Sequence, residues 1–272
     1  MVTIYKLISS DLDLTMIDDA FMLPEENIRA VAQAQAAGCL VIINSGRSSH
    51  SIRPYEEKLG LIRQGGYGIS FNGSIVYDLA SGEKIRDIRL DISVALEILG
   101  IVEEAGHCGI AYVENELYAL HRHNEIVSTY IKKVATPHRF VDSFSQTQGE
   151  ISKVLVAAHP ADILLLQAKL DAVSEGRFTS VRTAPMLLEL MSPLASKGSS
   201  LEFLAEYLGI PMSQVIAMGD FFNDISALKV AGLPIAVANA TDELKVLAKY
   251  ITKRNCQEGA FAEVVEKFIL SF

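Results

Sequence analysis

Two pairs of carboxylates follow two apolar segments that lie near opposite ends of the chain. Asp11 and Asp13 come after the first segment, and Asp220 and Asp224 come after the second. Both segments are predicted to be buried strands, and ligands of parallel sheets bind beyond the carboxyl ends of the strands. Like charges at 4 Å repel by about 4 kcal/mol at an effective dielectric near 20, so grouped acids require a cation or a proton. Oxygen ligands without clustered His or Cys favour Mg²⁺.

Three further residues have the chemistry to bind an anion. Ser45 and Gly46 offer a hydroxyl and an unshielded backbone N–H just before a predicted helix, whose N-terminus favours a phosphate. Lys197 precedes another predicted helix, where a cation is electrostatically unfavourable and needs an anion nearby. An alternative for Ser45 is that it only caps its helix.

Other polar positions have structural interpretations as well. Asp11 and Asp13 point to one side if the chain stays extended, but an acidic loop can also cap the next segment. Asn72-Gly73 between two apolar runs predicts a hairpin turn, although the Asn72 side chain could face the site. Ser199-x-x-Glu202 has the form of a capping box.

The elements that must position these residues alternate between strand and helix. The first strand is predicted over Ile4–Ser10, and a second strand over Cys39–Asn44. Between them a helix is predicted that opens at Leu23-Pro24-Glu25-Glu26, with Pro24 in its first turn, and stops at Gly38. The helix is predicted to bury one face, formed by Ile28, Val31, Ala32 and Gln35. The final third resumes this alternation. Residues 83–191 mix strands and helices without an acid pair, so they are predicted to be an inserted domain between a core of residues 1–82 and 192–272.

Composition limits the class of protein. The 272 residues include 24 Lys and Arg against 33 Asp and Glu, a net charge of −9, which argues against a nucleic-acid surface and favours a small ligand. Three cysteines without a CxxC spacing fit a reducing compartment. No leader pattern and no apolar run of about 20 residues occurs, so we expect a cytoplasmic protein without a membrane span. The sequence does not predict an oligomeric state.

Four ordered segments resemble the motifs of haloacid dehalogenase (HAD) superfamily phosphatases of the Cof type. They are Asp11-Leu12-Asp13-Leu14-Thr15, Ser45-Gly46-Arg47, Lys197-Gly198 and Gly219-Asp220-Phe221-Phe222-Asn223-Asp224. The resemblance covers essentially the whole chain. It implies an α/β fold with a HAD-like Rossmannoid core around a parallel sheet, and an inserted α+β cap domain of type IIB. It also implies that the cap selects the substrate, a small phosphorylated metabolite such as a sugar phosphate.

The resemblance further implies roles for individual residues. Asp11 would be the nucleophile that forms an aspartyl-phosphate, and Asp13 the general acid and base. Mg²⁺ would be held by Asp11, the backbone carbonyl of Asp13, Asp220 and Asp224. The phosphoryl oxygens would be bound by the backbone N–H of Leu12 and by Ser45, Gly46, Lys197 and Asn223.

The sequence departs from the family pattern at a few loop positions. Leu14 stands where most relatives carry glycine, Val237-Ala238-Asn239 lacks the glycine usual before the asparagine, and Gln257 replaces a commoner glutamate. Two other functions stay open, a sugar phosphomutase and a catalytically silent metabolite-binding regulator on the same fold. A dinucleotide-binding domain is not indicated, because no GxGxxG follows the first strand.

Overall fold

The computed structural model describes residues 5–114, 116–121, 123–134, 136–147 and 149–271. Two compact units divide the chain. The core unit comprises the residues up to Asp87 and those from Ser196 onward, and the insert unit comprises Ile88–Ala195. The sequence placed the boundaries after residues 82 and 191. Ile4, the first residue of the predicted N-terminal strand, lies outside the described residues.

The core unit begins with elements in the order expected from the sequence. These are β1 (Leu7–Ser10), α1 (Glu25–Ala36), β2 (Leu40–Ile43), α2 (Ser49–Lys58), β3 (Tyr67–Ser70), β4 (Ile75–Asp78) and β5 (Lys84–Asp87). The insert unit follows with α3 (Ile92–Glu104), β6 (Gly109–Val113), β7 (Glu116–Leu120), α4 (Glu125–Val134), β8 (His138–Val141), β9 (Ile151–Ala157), α5 (Pro160–Val173), β10 (Thr179–Ala184) and β11 (Leu187–Met191). The core unit is completed by α6 (Lys197–Tyr207), β12 (Val215–Gly219), α7 (Ile225–Val230), β13 (Leu233–Ala236), α8 (Asp242–Leu247), β14 (Tyr250–Ile251) and α9 (Ala260–Phe268).

A parallel sheet with the strand order β14-β13-β12-β1-β2 forms the centre of the core unit. The strands β1, β12 and β13 are short runs buried on both faces, as expected where helices cover a parallel sheet. In-register pairing of β1 with β12 sets Ser10 opposite Met218, and pairing with β2 sets Ser10 opposite Ile43. The loops that follow these three strands therefore emerge side by side at one edge of the sheet.

A second, antiparallel sheet of the core unit has the order β3-β4-β5. β3 and β4 form the hairpin predicted from Asn72-Gly73, with a short turn of 3₁₀ helix over Phe71–Gly73. β5 pairs with β4 and so belongs to the core unit, although the sequence placed residues 83–87 in the insert.

The insert unit is an α+β unit built on one six-stranded sheet with the order β10-β11-β9-β6-β7-β8. Its hydrophobic core joins apolar residues of β6, β9 and β11 to the buried faces of α3 and α5. The long strand β9 is buried along its whole length, which is consistent with its place in the middle of the sheet. None of the helices within the described ranges is long and apolar enough to cross a membrane.

Two local predictions in the core unit are wrong. The capping box of α6 joins Ser196 and Ser199 rather than Ser199 and Glu202, because the helix begins one turn earlier than its apolar positions indicate. The buried face of α1 is formed by Asn27, Ala30, Val31 and Ala34. The Asn27 amide donates to the carbonyl of Met16 at 2.8 Å and its oxygen accepts from the N–H of Ala262 at 3.1 Å, so a polar residue occupies the face.

Candidate active site

Three carboxylates converge at the ends of two adjacent strands. Asp11 follows β1, and Asp220 and Asp224 lie in the loop after β12. One carboxylate oxygen from each residue lies within 4.8 Å of the other two, and all three side chains are buried. Neighbouring parallel strands end at the same sheet edge, so the register of β1 and β12 produces this cluster from residues that are about 200 positions apart in sequence.

Lys197 supplies the positive charge of the site. Its ammonium nitrogen lies 2.5 Å from a carboxylate oxygen of Asp11 and 2.6 Å from one of Asp224, and the residue is only 1% exposed. Burial alone lowers the pKa of this lysine, but the two carboxylates outweigh that effect and raise it. The prediction that a cation at the start of α6 needs anions beside it is confirmed.

The cluster retains an excess of negative charge. Burial, together with the neighbouring Asp224, raises the pKa of Asp11 to about 7 against the opposing effect of Lys197. Burial also raises the pKa of Asp220 well above its ordinary value, with Asp11 and Asp224 adding to the shift. Three carboxylates and one ammonium sum to −2 when all are ionised. A hard divalent cation matches both this charge and the oxygen donors, so the residues fit Mg²⁺.

The loop after β12 is shaped around Asp224. The second oxygen of this carboxylate accepts from the backbone N–H groups of Asp220 at 3.0 Å and Phe221 at 3.2 Å. A Cβ at Gly219 would lie 2.2 Å from the Asp224 carboxyl carbon, so only glycine allows the loop to close in this way. The Thr15 hydroxyl lies 3.3 Å from a carboxylate oxygen of Asp220 and orients that side chain.

Asp13 has a different partner, which the sequence did not reveal. Arg47 binds both of its carboxylate oxygens, Nε to Oδ2 at 2.7 Å and a terminal nitrogen to Oδ1 at 2.5 Å. The guanidinium lies over the rings of Phe21 and Tyr55, at 4.9 Å and 5.5 Å from their centroids. Burial alone would lower the pKa of Arg47, but its hydrogen bonds and charge interaction with Asp13 raise it. The available signal in the sequence was an arginine in the Ser45-Gly46-Arg47 segment, at the end of a strand whose sheet edge also carries acids.

The Asp13 side chain is therefore not one of the clustered buried carboxylates. Its carboxylate is not part of the group formed by Asp11, Asp220 and Asp224, and its side chain is 40% exposed. The charge of Asp13 nevertheless raises the pKa of Asp11, after the larger effects of burial, Lys197 and Asp224. The expectation that the carboxylates of Asp11 and Asp13 face one small volume stays a prediction. The expected contact through the Asp13 backbone carbonyl stays a prediction.

The residues predicted to bind phosphoryl oxygens occupy neighbouring loops. Ser45 is buried and its hydroxyl accepts from the N–H of Arg47 at 3.2 Å. The alternative that Ser45 caps the helix is wrong, because the N-cap of α2 is Ser48. Gly46 lies against the carboxamide of Asn72, which also accepts from the amide of Asn223 at 3.0 Å.

The loop after β1 adopts its shape without the usual glycine. Leu14 has a left-handed backbone with φ of 55°, the conformation that glycine adopts most easily, and its side chain is 41% exposed. The amide of Asn239 donates to the Leu14 carbonyl at 2.8 Å and holds the turn. Leu12 is fully buried, and its carbonyl accepts from Met16 and Ile17 within the same turn.

Comparisons with known proteins agree on one family. Residues 8–265 match the haloacid dehalogenase-like hydrolases. A Streptococcus pyogenes protein with a provisional phosphatase name is 31% identical, over 98% of this chain and 99% of its own length. The 5-amino-6-(5-phospho-D-ribitylamino)uracil phosphatase YitU of Bacillus subtilis is 27% identical, over 97% of this chain and 98% of its own length. In fold, the chain resembles the HAD subclass IIB sugar phosphatase BT4131 with a TM-score of 0.82 at 20% identity, over 97% of this chain and 98% of the other.

Proposed function

Because the chain belongs to the haloacid dehalogenase-like hydrolases and is a phosphatase of that family, we propose that it hydrolyses small phosphorylated metabolites with Mg²⁺. Sugar and polyol phosphates are the proposed substrate class. The subclass IIB likeness to a sugar phosphatase and the similarity to a phosphatase of a ribityl phosphate support this choice. The reaction is proposed to pass through an aspartyl-phosphate on Asp11.

One observation carries the proposal, the convergence of three buried carboxylates, two of which contact the ammonium of Lys197. Asp11, Asp220 and Asp224 would hold the metal ion together with the Asp13 carbonyl. Mg²⁺ bound there would neutralise the phosphoryl group and hold it in line with the nucleophile. A buried cluster whose three carboxylates and one ammonium sum to −2 is otherwise expensive to keep in a folded protein.

The chain's own groups would perform the proton and bond changes. A carboxylate oxygen of Asp11 attacks phosphorus, the bond from phosphorus to the ester oxygen breaks, and the departing alcohol takes a proton from Asp13. Asp13 then removes a proton from water as the water oxygen attacks phosphorus and the bond to Asp11 breaks. Arg47 engages both Asp13 oxygens, so one of these contacts must open before that oxygen can hold the proton.

A panel of sugar, polyol and aryl phosphates assayed with Mg²⁺, and again with a chelator, tests the activity. We expect turnover that needs the metal and that Asp11→Asn abolishes, with the unfolding transition retained. Asp162→Asn is the matched control, since Asp162 lies in the first turn of α5 in the insert unit. Appreciable turnover by Asp11→Asn would refute the nucleophile assignment, and turnover unaffected by chelator would refute the metal assignment.

The aspartyl-phosphate has its own test in the variant Asp13→Ala. An aryl phosphate has a good leaving group that needs little protonation, so the variant should still transfer the phosphoryl group to Asp11. The second step needs Asp13 to activate water, so ³²P label should accumulate on the protein after an acid quench. No label in Asp13→Ala, under conditions where the wild type turns over, would contradict a covalent intermediate.

A further inference from the structure

The turn between β3 and β4 has an unusual backbone for buried residues. Phe71, Asn72 and Gly73 all have positive φ, at 49°, 52° and 95°. A large residue such as Phe71 rarely adopts this left-handed region, and Phe71 and Asn72 are nearly or fully buried. Strained backbone of this kind persists only where surrounding contacts determine it, and it is concentrated at functional sites.

Backbone hydrogen bonds join this turn to the loop of the candidate site that follows β2. The N–H of Phe71 donates to the carbonyl of Arg47 at 2.9 Å, and that of Asn72 to the carbonyl of Ser45 at 3.0 Å. On its other side the turn meets the start of α6. A Cβ at Gly73 would lie 2.0 Å from the carbonyl oxygen of Ser196, so a side chain there would collide with the helix that carries Lys197.

The carboxamide of Asn72 contacts two residues of the candidate site. Its oxygen accepts from the side-chain amide of Asn223 at 3.0 Å, and the group lies against Gly46, where a Cβ would approach its oxygen to 3.0 Å and its nitrogen to 3.1 Å. Asn72 is 2% exposed. One side chain therefore contacts both Gly46 and Asn223. These residues follow different strands, and both are expected to bind the phosphoryl group.

We propose that Asn72 is a positioning residue for phosphoryl binding. It fixes the Asn223 carboxamide through one of its two amide hydrogens and leaves the other to donate to a phosphoryl oxygen, while it holds the Gly46 backbone in place. This inference rests on the proposed function. The competing explanation is that asparagine is present only because it tolerates a left-handed backbone better than most residues do.

The variant Asn72→Gly separates the two explanations. Glycine adopts the left-handed conformation without strain, so the fold is expected to keep its unfolding midpoint, while the carboxamide is lost. A misplacement of about 1 Å costs up to ~100-fold in rate, so we expect kcat/KM to fall by roughly 10- to 100-fold and inhibition by orthovanadate to weaken in parallel. Glu175→Gly is the matched control, because Glu175 has φ of 46° in a turn of the insert unit; its activity should not change.

A double-mutant cycle shows whether Asn72 acts through Asn223. If it does, the loss in the double variant should be clearly smaller than the product of the two single losses, whereas fully independent effects would multiply. Wild-type kcat/KM in Asn72→Gly would overturn the inference and leave the proposed function intact. Multiplying effects would overturn the route through Asn223.

A second measurement does not depend on turnover. The side-chain ¹⁵N–¹H signals of Asn223, assigned by their loss in Asn223→Ala, should move in Asn72→Gly and keep their positions in Glu175→Gly. Unmoved signals overturn the inference even if no substrate is found. A wild-type protein that turns over no phosphomonoester and binds no orthovanadate would instead refute the proposed function.

Discussion

A buried glutamate outside the candidate site should make the stability of the protein depend on pH. Glu56 of α2 is fully buried, and Tyr77 donates its hydroxyl to Oε1 at 2.6 Å. The other oxygen, Oε2, has no hydrogen-bond partner within the described part of the chain. Burial raises the pKa of Glu56 from 4.5 to about 7, against the smaller opposing effect of the Tyr77 hydrogen bond.

The direction of the effect follows from proton binding. Between pH 4.5 and about 7 the folded state binds a proton that the unfolded state has released. The stabilisation is therefore fully present below pH 4.5 and is lost as pH rises through about 7. A pKa difference of about 2.5 at 1.36 kcal/mol per unit corresponds to a loss of about 3 kcal/mol in the free energy of unfolding.

Glu56→Gln removes this titration and keeps an oxygen that accepts from Tyr77. We expect the free energy of unfolding of the variant to gain about 2–3 kcal/mol relative to the wild type between about pH 5 and pH 8.5. Urea unfolding of both proteins at about six pH values measures this difference in free energy. The buried acids of the site titrate in both proteins, so their contribution cancels when the wild-type value is subtracted from that of the variant. Glu57→Gln is the control, because Glu57 is exposed and pairs with Arg53 on the same helix. A difference that does not change with pH would refute the reasoning.

Three other substitutions test separate parts of the structure. Lys153→Met should lower the free energy of unfolding by about 3–5 kcal/mol, measured in urea, because it removes the cation that lies 2.7 Å from the buried carboxylate of Glu189. Lys153→Met with Glu189→Leu should restore most of this loss, and a double variant as unstable as the single variant would contradict the reasoning. Leu14→Gly should raise the free energy of unfolding by about 1 kcal/mol because glycine adopts the left-handed backbone without strain. A lower free energy of unfolding would show that the Leu14 side chain stabilises the fold by more than its backbone conformation costs. Arg47→Met should lower kcat/KM, which reports the transfer to Asp11 and not the later hydrolysis, about 100-fold for alkyl phosphates and much less for aryl phosphates, whose leaving groups need little acid catalysis from Asp13. Equal losses of kcat/KM would contradict a role through Asp13.

The sheet edge that carries the site could be predicted because its determinants are local. Short apolar runs specify buried parallel strands, and the runs that become β1 and β12 are followed by carboxylates that need a compensating charge. The position of Lys197 was informative for the same reason, because a cation at a helix N-terminus needs anionic partners, which proved to be Asp11 and Asp224. Such arguments need only the residue type and its neighbours in sequence.

The details that failed depend on contacts between distant segments. Several serines follow β2, and the choice of Ser48 over Ser45 as the N-cap depends on where the backbone turns. Asn27 is buried in α1 because it bonds to both Met16 and Ala262, which no periodicity within the helix reveals. The pairing of Arg47 with Asp13 likewise requires two loops to be placed first.

The distribution of backbone strain gives independent support to the site. Among the described residues, six other than glycine have positive φ, and four of them, Leu14, Phe21, Phe71 and Asn72, lie in the loops that follow β1 and β3. Each such residue costs about 1–3 kcal/mol, a cost that glycine would avoid. The strain is instead kept beside Asp13, Gly46 and Asn223. The rigid parallel sheet supplies the stability that allows it, so the strained loops can hold side chains in positions that relaxed turns would not give.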